Sequence, residues 1–349
     1  MSLLYSPIQE VFDLIAQPLQ SVKASLGAIT PPNSAQLADA VSSSLNSGGK
    51  YLRPALTLLV GKASASNGFP VDQSALVEAA AVTEMIHVAT LLHDDVLDAS
   101  DLRRGKETAR AVWGDKIAIL GGDYLLAQAS VKLSALGNTR LVSIFAWVLS
   151  YLCDGEVEQM QSSFSAREDG DSAKVWAEKQ WKSYFHKTFC KTGSLFAAAC
   201  EAAGVINQLS EPKIEALRDF GRHLGIAFQI MDDLLDYTAT EEQLGKPVMG
   251  DLRNGLINAP ILLALESDAL NDAQQYQLRQ AIDQMFTAPT NGCIEEIQAL
   301  LQDCNALEKS KSLARHHLTM GLKGIDFIGD SPARRALDTV AEYVIGRNS

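Results

Sequence analysis

The stretch "IEALRDFGRHLGIAFQIMDDLLDY", Ile214 to Tyr237, sets apolar residues at Ile214, Leu217, Phe220, Leu224, Ala227, Met231 and Leu234. Steps of three and four residues predict one face of a long α-helix, whereas a strand would alternate. The same period runs through "ALVEAAAVTEMIHVATLL", Ala75 to Leu92, where alanine and leucine, both strong helix formers, are abundant. Strand-like alternation is hard to find. Breakers fall between the helical segments: "ITPPNS" at 29–34, "SNGFP" at 66–70, "AREDGDS" at 166–172 and "TAPTNG" at 287–292. None of them has the length of an inter-domain linker, and no repeat of solenoid period is visible. The expectation is an all-α fold, a single domain over residues 1–349 with ten or more helices.

Composition narrows the function. A chain of 349 residues with 47% hydrophobic residues can bury a large core. The formal net charge is -12, and lysines and arginines are scattered, so duplex nucleic acid, which needs a basic face, is not an expected partner. Any polyanion must be met locally, by metal ions or a few placed cations. Cys153, Cys190, Cys200, Cys293 and Cys304 form no C-x-x-C pair and are odd in number, which argues against a zinc site or a disulfide framework. The opening "MSLLYSPIQEVFDLIAQ" has no basic region and carries Glu10 and Asp13, unlike a signal or transit peptide. No uninterrupted apolar run approaches the roughly 20 residues of a membrane span. The expected address is therefore the cytoplasm.

The long helical stretch also holds an anomaly. Asp232, Asp233 and Asp236 repeat the i, i+1, i+4 spacing of Asp94, Asp95 and Asp98 in "LLHDDVLD". On a helix, i and i+4 share a face while i+1 lies about 100° round. Aspartate is a weak helix former, and like charges at i,i+4 repel by roughly 0.2–0.5 kcal/mol. One such cluster reads as easily as a solvated helix face. Two copies, both flanked by leucine, isoleucine or valine, point to a divalent metal. Oxygen-only ligands select a hard ion, and Mg²⁺ completes its octahedron with water and substrate phosphates. Cations suited to such a substrate stand nearby in sequence: Lys50 and Arg53 in "SGGKYLRP", Arg103 and Arg104 in "DLRRG", Lys191 with Thr192 in "CKTGSL", and Lys246 in "LGKP".

Taken in order, "GGKYLRP", "EMIHVATLLHDDVLDASDLRRG", "GGDYLLAQAS", "GEVEQM", "KTFCKTGSL", "GIAFQIMDDLLDY" and "LGKPVMGDLRNG" resemble the motifs of the trans-isoprenyl diphosphate synthases, the polyprenyl synthetase family. That resemblance covers roughly residues 45–265. It implies an isoprenoid-synthase-like fold of mostly antiparallel helices around a central cavity, and a homodimer. It implies that Asp94, Asp98 and Asp232 bind three Mg²⁺ on an allylic diphosphate, supported by Asp95, Asp233 and Asp236. Arg103, Lys191 and Lys246 would neutralise further phosphate oxygens, while Lys50, Arg53, His87 and Arg104 hold isopentenyl diphosphate. Thr192 and Gln229 would face the allylic carbocation with oxygen dipoles.

In the family, short-chain enzymes place an aromatic residue four or five positions before the first aspartate. Here those positions are Thr90 and Ala89, and Met85, Ile86, Val82 and Ala81 behind them offer no aromatic plug. The resemblance is therefore to medium- and long-chain members, such as octaprenyl, solanesyl or decaprenyl synthases, rather than to farnesyl or geranylgeranyl synthases. One departure stands out: many relatives have Gly-Lys where this chain has Gly255-Leu256. Other classes share parts of the pattern. A metal-dependent phosphohydrolase with a His-Asp dyad would use His93–Asp94 but not the second cluster. A terpene cyclase would not need Lys50, Arg53 and His87. A non-catalytic prenyl-diphosphate-binding subunit would usually have damaged aspartate motifs, and both are intact here. Cys190, beside Lys191, is either a reactive thiol or a buried spectator.

Overall fold

Helices begin where side chains satisfy their first amides: Ser34, Asp72, Thr108 and Thr290 each accept the amide three residues on, and Asn271 forms a capping box with Gln274. In the computed structural model, which describes residues 7–31, 33–65, 72–103, 105–161, 173–238 and 248–346, the chain is almost wholly helical. Its elements are α1 (Pro7–Leu14), α2 (Ala16–Gly27), α3 (Ala35–Leu45), α4 (Leu52–Ser64), α5 (Gln73–Leu97), α6 (Ala109–Trp113), α7 (Asp115–Ala135), α8 (Thr139–Gln161) and α9 (Ala173–Thr188). A π-helical turn, Phe189–Gly193, leads into α10 (Ser194–Ile206), α11 (Glu211–Thr238), α12 (Gly250–Arg253) and α13 (Ala259–Leu265). The chain continues through α14 (Asp272–Thr287), α15 (Asn291–Asp303), α16 (Ala306–Gly324) and α17 (Pro332–Gly346). Between α5 and α6, β1 (Leu102–Arg103) and β2 (Lys106–Glu107) form a small antiparallel hairpin. The predicted all-α class, with more than ten helices, is what the structure has.

Two compact units divide the chain: one takes in Met1–Val148, Leu195–Gly221 and Leu322–Ala341, the other Leu149–Ser194, Arg222–Gly321 and Glu342–Ser349. In the first, α5 packs against α2, α3, α4, α6 and α7. Most of its length is buried, as a central helix requires: Leu76, Val82, Met85, Ile86 and Ala89 are none of them more than 1% exposed. Each large side chain buried in this way contributes roughly 1.5–3 kcal/mol. Small residues let neighbours approach: a Cβ at Gly61 would lie 2.5 Å from Leu76, and one at Gly221 would lie 2.3 Å from the Phe196 carbonyl oxygen. In the second unit, Tyr237, Leu252, Ile261, Leu278, Ile282, Ile297 and Leu301 build a core among α11 to α15.

Two helical stretches, Gln73–Leu97 and Glu178–Ile206, are long and apolar enough to cross a bilayer by composition, although no such run was expected. Within the fold 67% and 83% of their most apolar windows are buried, the pattern of core helices.

A pair of histidines ties α11 to α16: the Nδ1 atoms of His223 and His317 are 2.9 Å apart, so one donates and the other accepts. Burial first, then His223, His316 and Arg222, push His317 down from 6.5 to about 4. Because the folded-state value is depressed, the stability tied to neutral His317 is present above pH 6.5 and lost as pH falls toward 4. His317→Gln is expected to flatten the decline of melting temperature across that window, measured by circular dichroism.

Candidate active site

Both aspartate clusters occupy the C-terminal turns of their helices, and neither α5 nor α11 has a basic residue in its last turn. A helix C-terminus already carries about half a negative charge, so carboxylates there are set against the dipole. The summed field favours a cation at each end.

In the first unit α5 stops in a Schellman turn. Asp98 caps it, Ala99 takes φ +49°, and the amides of Ala99 and Ser100 donate to the carbonyls of Val96 and Asp95 at 3.2 and 2.9 Å. This turn sends the chain into the β1–β2 hairpin and brings Arg103 back, its Nε 2.8 Å from Asp95 Oδ1. Burial raises the Asp95 carboxyl, and Arg103 opposes that shift. Arg103, expected on substrate phosphate, is thus engaged with the cluster's buried member. Asp94 is half-buried and Asp98 exposed.

Ahead of α4 the glycine-led turn is strained at one residue: Gly48 takes φ +85°, which glycine accommodates, but Tyr51, a bulky residue, has φ +48°. Such outliers persist where surrounding structure holds them, often at functional sites. The turn leaves Lys50 exposed and starts α4 just ahead of Arg53, which reaches His87 on α5 (Nη1 to Nε2, 3.3 Å) and lies over the Phe196 ring at 4.7 Å from its centroid. Three predicted members, Lys50, Arg53 and His87, therefore belong to one unit, and two of them touch. His93 packs on α7, its Nε2 3.1 Å from the Ile119 carbonyl and 3.5 Å from Asp123. Arg104 and Lys246 lie outside the described residues.

In the second unit Asp233 is fully committed. Tyr184 donates to its Oδ2 at 2.6 Å, Gln229 Nε2 donates to its Oδ1 at 2.9 Å, and the Ala259 amide lies 3.5 Å from Oδ2. Burial, then Asp251, pushes its carboxyl up to about 7, while Tyr184 and Gln229 pull it back. Asp236 accepts the amides of Gly250 and Asp251, both at 3.2 Å, and so caps the start of α12. Asp232 is half-buried. Lys191 reaches Glu156 at 2.6 Å and Gln159 at 2.9 Å, and Thr192 donates to Gln229 Oε1 at 2.9 Å. Both sit in the π-helical turn, a distortion common at functional sites.

Gly155 on α8 makes room for that turn: a Cβ there would lie 2.7 Å from Cys190 Cβ and 3.3 Å from the Lys191 amide nitrogen. Gly155→Ala is expected to cost about 1–3 kcal/mol by overpacking. Turnover should fall with it as Lys191 and Thr192 are displaced, and paired melting and activity measurements check both effects. The Cys190 thiol is buried and pushed up to about 11, mainly by that burial, which makes it a spectator.

Sequence reasoning missed Tyr184, Lys187, Asp251 and Asn258. Asn258 donates to Asp251 at 3.0 Å and accepts from Tyr237 at 2.7 Å. Lys187 is lowered by burial against the pull of Glu158 and Asp233. The Asp251 stretch, "VMGDLRNG", and Lys187, at the head of "KTFCKTGSL", stood out in the sequence, although neither residue was assigned a role; Tyr184 looks like an ordinary helix residue.

Among the described residues no three His, Cys, Asp or Glu side chains gather into a preformed ion cage. Half-exposed carboxylates at helix C-termini suit a hard ion that takes its remaining ligands from water and phosphate. These features fit one class: helical proteins that meet an anionic substrate through oxygen-bound divalent ions and a few cations.

Comparison with known proteins makes the class specific. The polyprenyl synthetase family model matches residues 34–301. Solanesyl diphosphate synthase 2 of Arabidopsis thaliana chloroplasts is 33% identical over 344 residues, 97% of this chain and 77% of the relative. A decaprenyl diphosphate synthase from Rhodobacter capsulatus superposes with a TM-score of 0.84 at 31% identity, covering 98% of this chain and 99% of the other. A Caulobacter crescentus polyprenyl synthase solved with calcium and isoprenyl diphosphate has a TM-score of 0.85 at 29% identity, covering 98% of each chain. The chain belongs to the polyprenyl synthetase family.

Proposed function

We propose that this chain is a trans-prenyltransferase that joins isopentenyl diphosphate to an allylic prenyl diphosphate and builds a medium- or long-chain all-trans polyprenyl diphosphate. The observation that carries it is the pair of acidic helix ends, on α5 and α11, each without a basic residue in its last turn. The solanesyl and decaprenyl synthases among its relatives support the product class.

Asp94, Asp98 and Asp232 fit the ligand role, because they are half-buried or exposed at the C-terminal turns of α5 and α11, whereas Asp95, Asp233 and Asp236 are buried. Mg²⁺, in our reading three ions, supplies neutralisation of the allylic diphosphate so that it leaves readily. Lys191 and Lys246 add positive charge to the leaving group. Arg103 contributes indirectly, by balancing Asp95. Arg53 and His87, with Lys50 and Arg104, hold the diphosphate of isopentenyl diphosphate. Thr192 and Gln229 present oxygen dipoles to the positive carbon that the homoallylic double bond attacks. Proton loss then leaves a trans product one isoprene unit longer. Charge is met by groups already in place, which is where electrostatic catalysis gains most.

Incubation with Mg²⁺, labelled isopentenyl diphosphate and farnesyl diphosphate, followed by sizing of the extracted prenols, tests this. Labelled linear prenols of medium or long chain are expected. A cyclised hydrocarbon without label would make it a terpene cyclase, and absence of turnover a binding subunit.

We also infer a homodimer. Ile119, Leu120 and Val131 on α7 and Val142 and Trp147 on α8 are large apolar side chains between 39% and 61% exposed. Large apolar side chains left this exposed are ones that a second copy of the chain would cover. Light scattering should give twice the chain mass, and Leu120→Glu with Val131→Glu should give the monomer mass.

A further inference from the structure

Within the second unit four side chains form an unbroken hydrogen-bonded series. Tyr184 on α9 donates to Asp233 on α11 at 2.6 Å. Gln229, one turn earlier on α11, donates from Nε2 to the other Asp233 oxygen at 2.9 Å. Its Oε1 accepts the Thr192 hydroxyl, also at 2.9 Å. Each link fixes the polarity of the next. Tyr184 keeps its proton, because burial and Asp233 hold its phenol well above the ordinary value. The structure turns the Gln229 NH₂ to Asp233 and its oxygen to Thr192, the one orientation of the amide in which Asp233 accepts and Thr192 donates. The Thr192 proton is then spent on Gln229, and its oxygen keeps lone pairs for a third partner.

We propose that Tyr184 is a positioning residue for elongation: through Asp233 and Gln229 it orients the Thr192 hydroxyl so that oxygen, not hydrogen, is offered to the positive carbon of the reacting allyl group. This rests on the placement of Thr192 at that carbon in the function proposed above. The physical stake is the sign of a dipole. With the Gln229 amide reversed, its NH₂ would donate to Thr192, and the hydroxyl proton would be free to point at the cation and repel it. Asp233 in this arrangement is an orienting group, its oxygens used by protein donors from α9, α11 and α13. Tyr184 is buried, with Trp181 and Phe185 edge-on at centroid distances of 5.7 and 5.4 Å, so a phenylalanine would keep the packing and lose only the hydroxyl.

The test compares Tyr184→Phe, Thr192→Val and the double variant, with kcat, KM for both diphosphates and the Mg²⁺ half-saturation measured for each. Loss of one orienting hydrogen bond is expected to lower kcat by about tenfold. Both KM values and the Mg²⁺ requirement should stay within about twofold of wild type, a range worth less than half a kcal/mol. The double variant should be no slower than Thr192→Val alone, because the two side chains act through one series. Wild-type kcat in Tyr184→Phe, multiplicative losses in the double variant, or an effect confined to KM would overturn the proposal. Should Tyr184→Phe not fold, Asp233→Asn carries the test. Its amide oxygen would take the Tyr184 proton, its NH₂ would face Gln229, and kcat should fall with the Mg²⁺ half-saturation unchanged. A raised Mg²⁺ half-saturation in Asp233→Asn would make Asp233 a metal ligand and overturn it as well. If the wild type makes no linear prenol, the proposed function fails too; if it elongates and only these comparisons fail, the proposed function stands and the orienting role falls.

Discussion

Asp94→Ala and Asp232→Ala are each expected to lower turnover by about 10²–10³-fold or more, the scale of removing one preorganised electrostatic group from a reacting centre. The fold should not suffer. Both residues are half-buried near the C-terminal end of a helix that has no basic residue in its last turn. There a carboxylate works against the helix dipole and, in the first cluster, against Asp98 one turn away. Relieving that repulsion should leave the metal-free melting temperature unchanged or raise it slightly, by about 1 kcal/mol at most. Loss of activity with undiminished stability is the signature of a residue kept for function. Asp95→Ala should behave differently, because it strands Arg103 beside a buried gap and so lowers stability. If Asp94→Ala unfolds the protein instead, or retains near-normal turnover, its role as a metal ligand is lost.

Thr90→Phe is expected to shorten the product. Thr90 precedes Asp94 by one turn, is half-buried, and spends its hydroxyl on the His87 carbonyl at 2.7 Å. Its side chain therefore lies on the helix face of Asp94 and His87, along which the growing hydrocarbon would extend in the proposed function. One helical turn is about 5.4 Å, close to one extended isoprene unit, so an aromatic ring there closes the path within the first turns. Thin-layer or mass analysis of the prenols should show chains shorter by one or more units, with KM for isopentenyl diphosphate little changed. Ala89→Phe should act in the same direction but at a further cost. Ala89 is 0% exposed, and a ring forced into that packing destabilises by about 1–3 kcal/mol. An unchanged product distribution in Thr90→Phe would mean that this face of α5 does not set chain length.

Much of the molecule was legible before any coordinates. The helical class followed from the period in Ile214–Tyr237, and the structure buries Ile214, Leu217, Phe220, Leu224, Ala227, Met231 and Leu234, the residues that set that period. Both acidic clusters and most of the cations were visible from residue type and spacing. The π-helical turn at Phe189–Gly193 was not, because nothing in "FCKTG" separates it from an ordinary helix; Gly155, more than thirty positions earlier, supplies the space it fills. Tyr184 looked like one more helix aromatic, and only its 2.6 Å contact with Asp233 gives it a role.

Local pattern determined that this chain is helical and that two of its helices end in three carboxylates each. Spacing put Asp94 with Asp98 and Asp232 with Asp236 on shared faces, and the family resemblance alone separated ligands from supporting residues. Tertiary structure decided which of them are buried and which donors meet them there. Asp95 went to Arg103 eight residues on, Asp233 to Tyr184 forty-nine residues back, and Asp236 to the amide of Gly250 fourteen residues ahead. The reason is that a carboxylate is buried only where packing delivers a donor to it, and those donors arrive from other helices and turns.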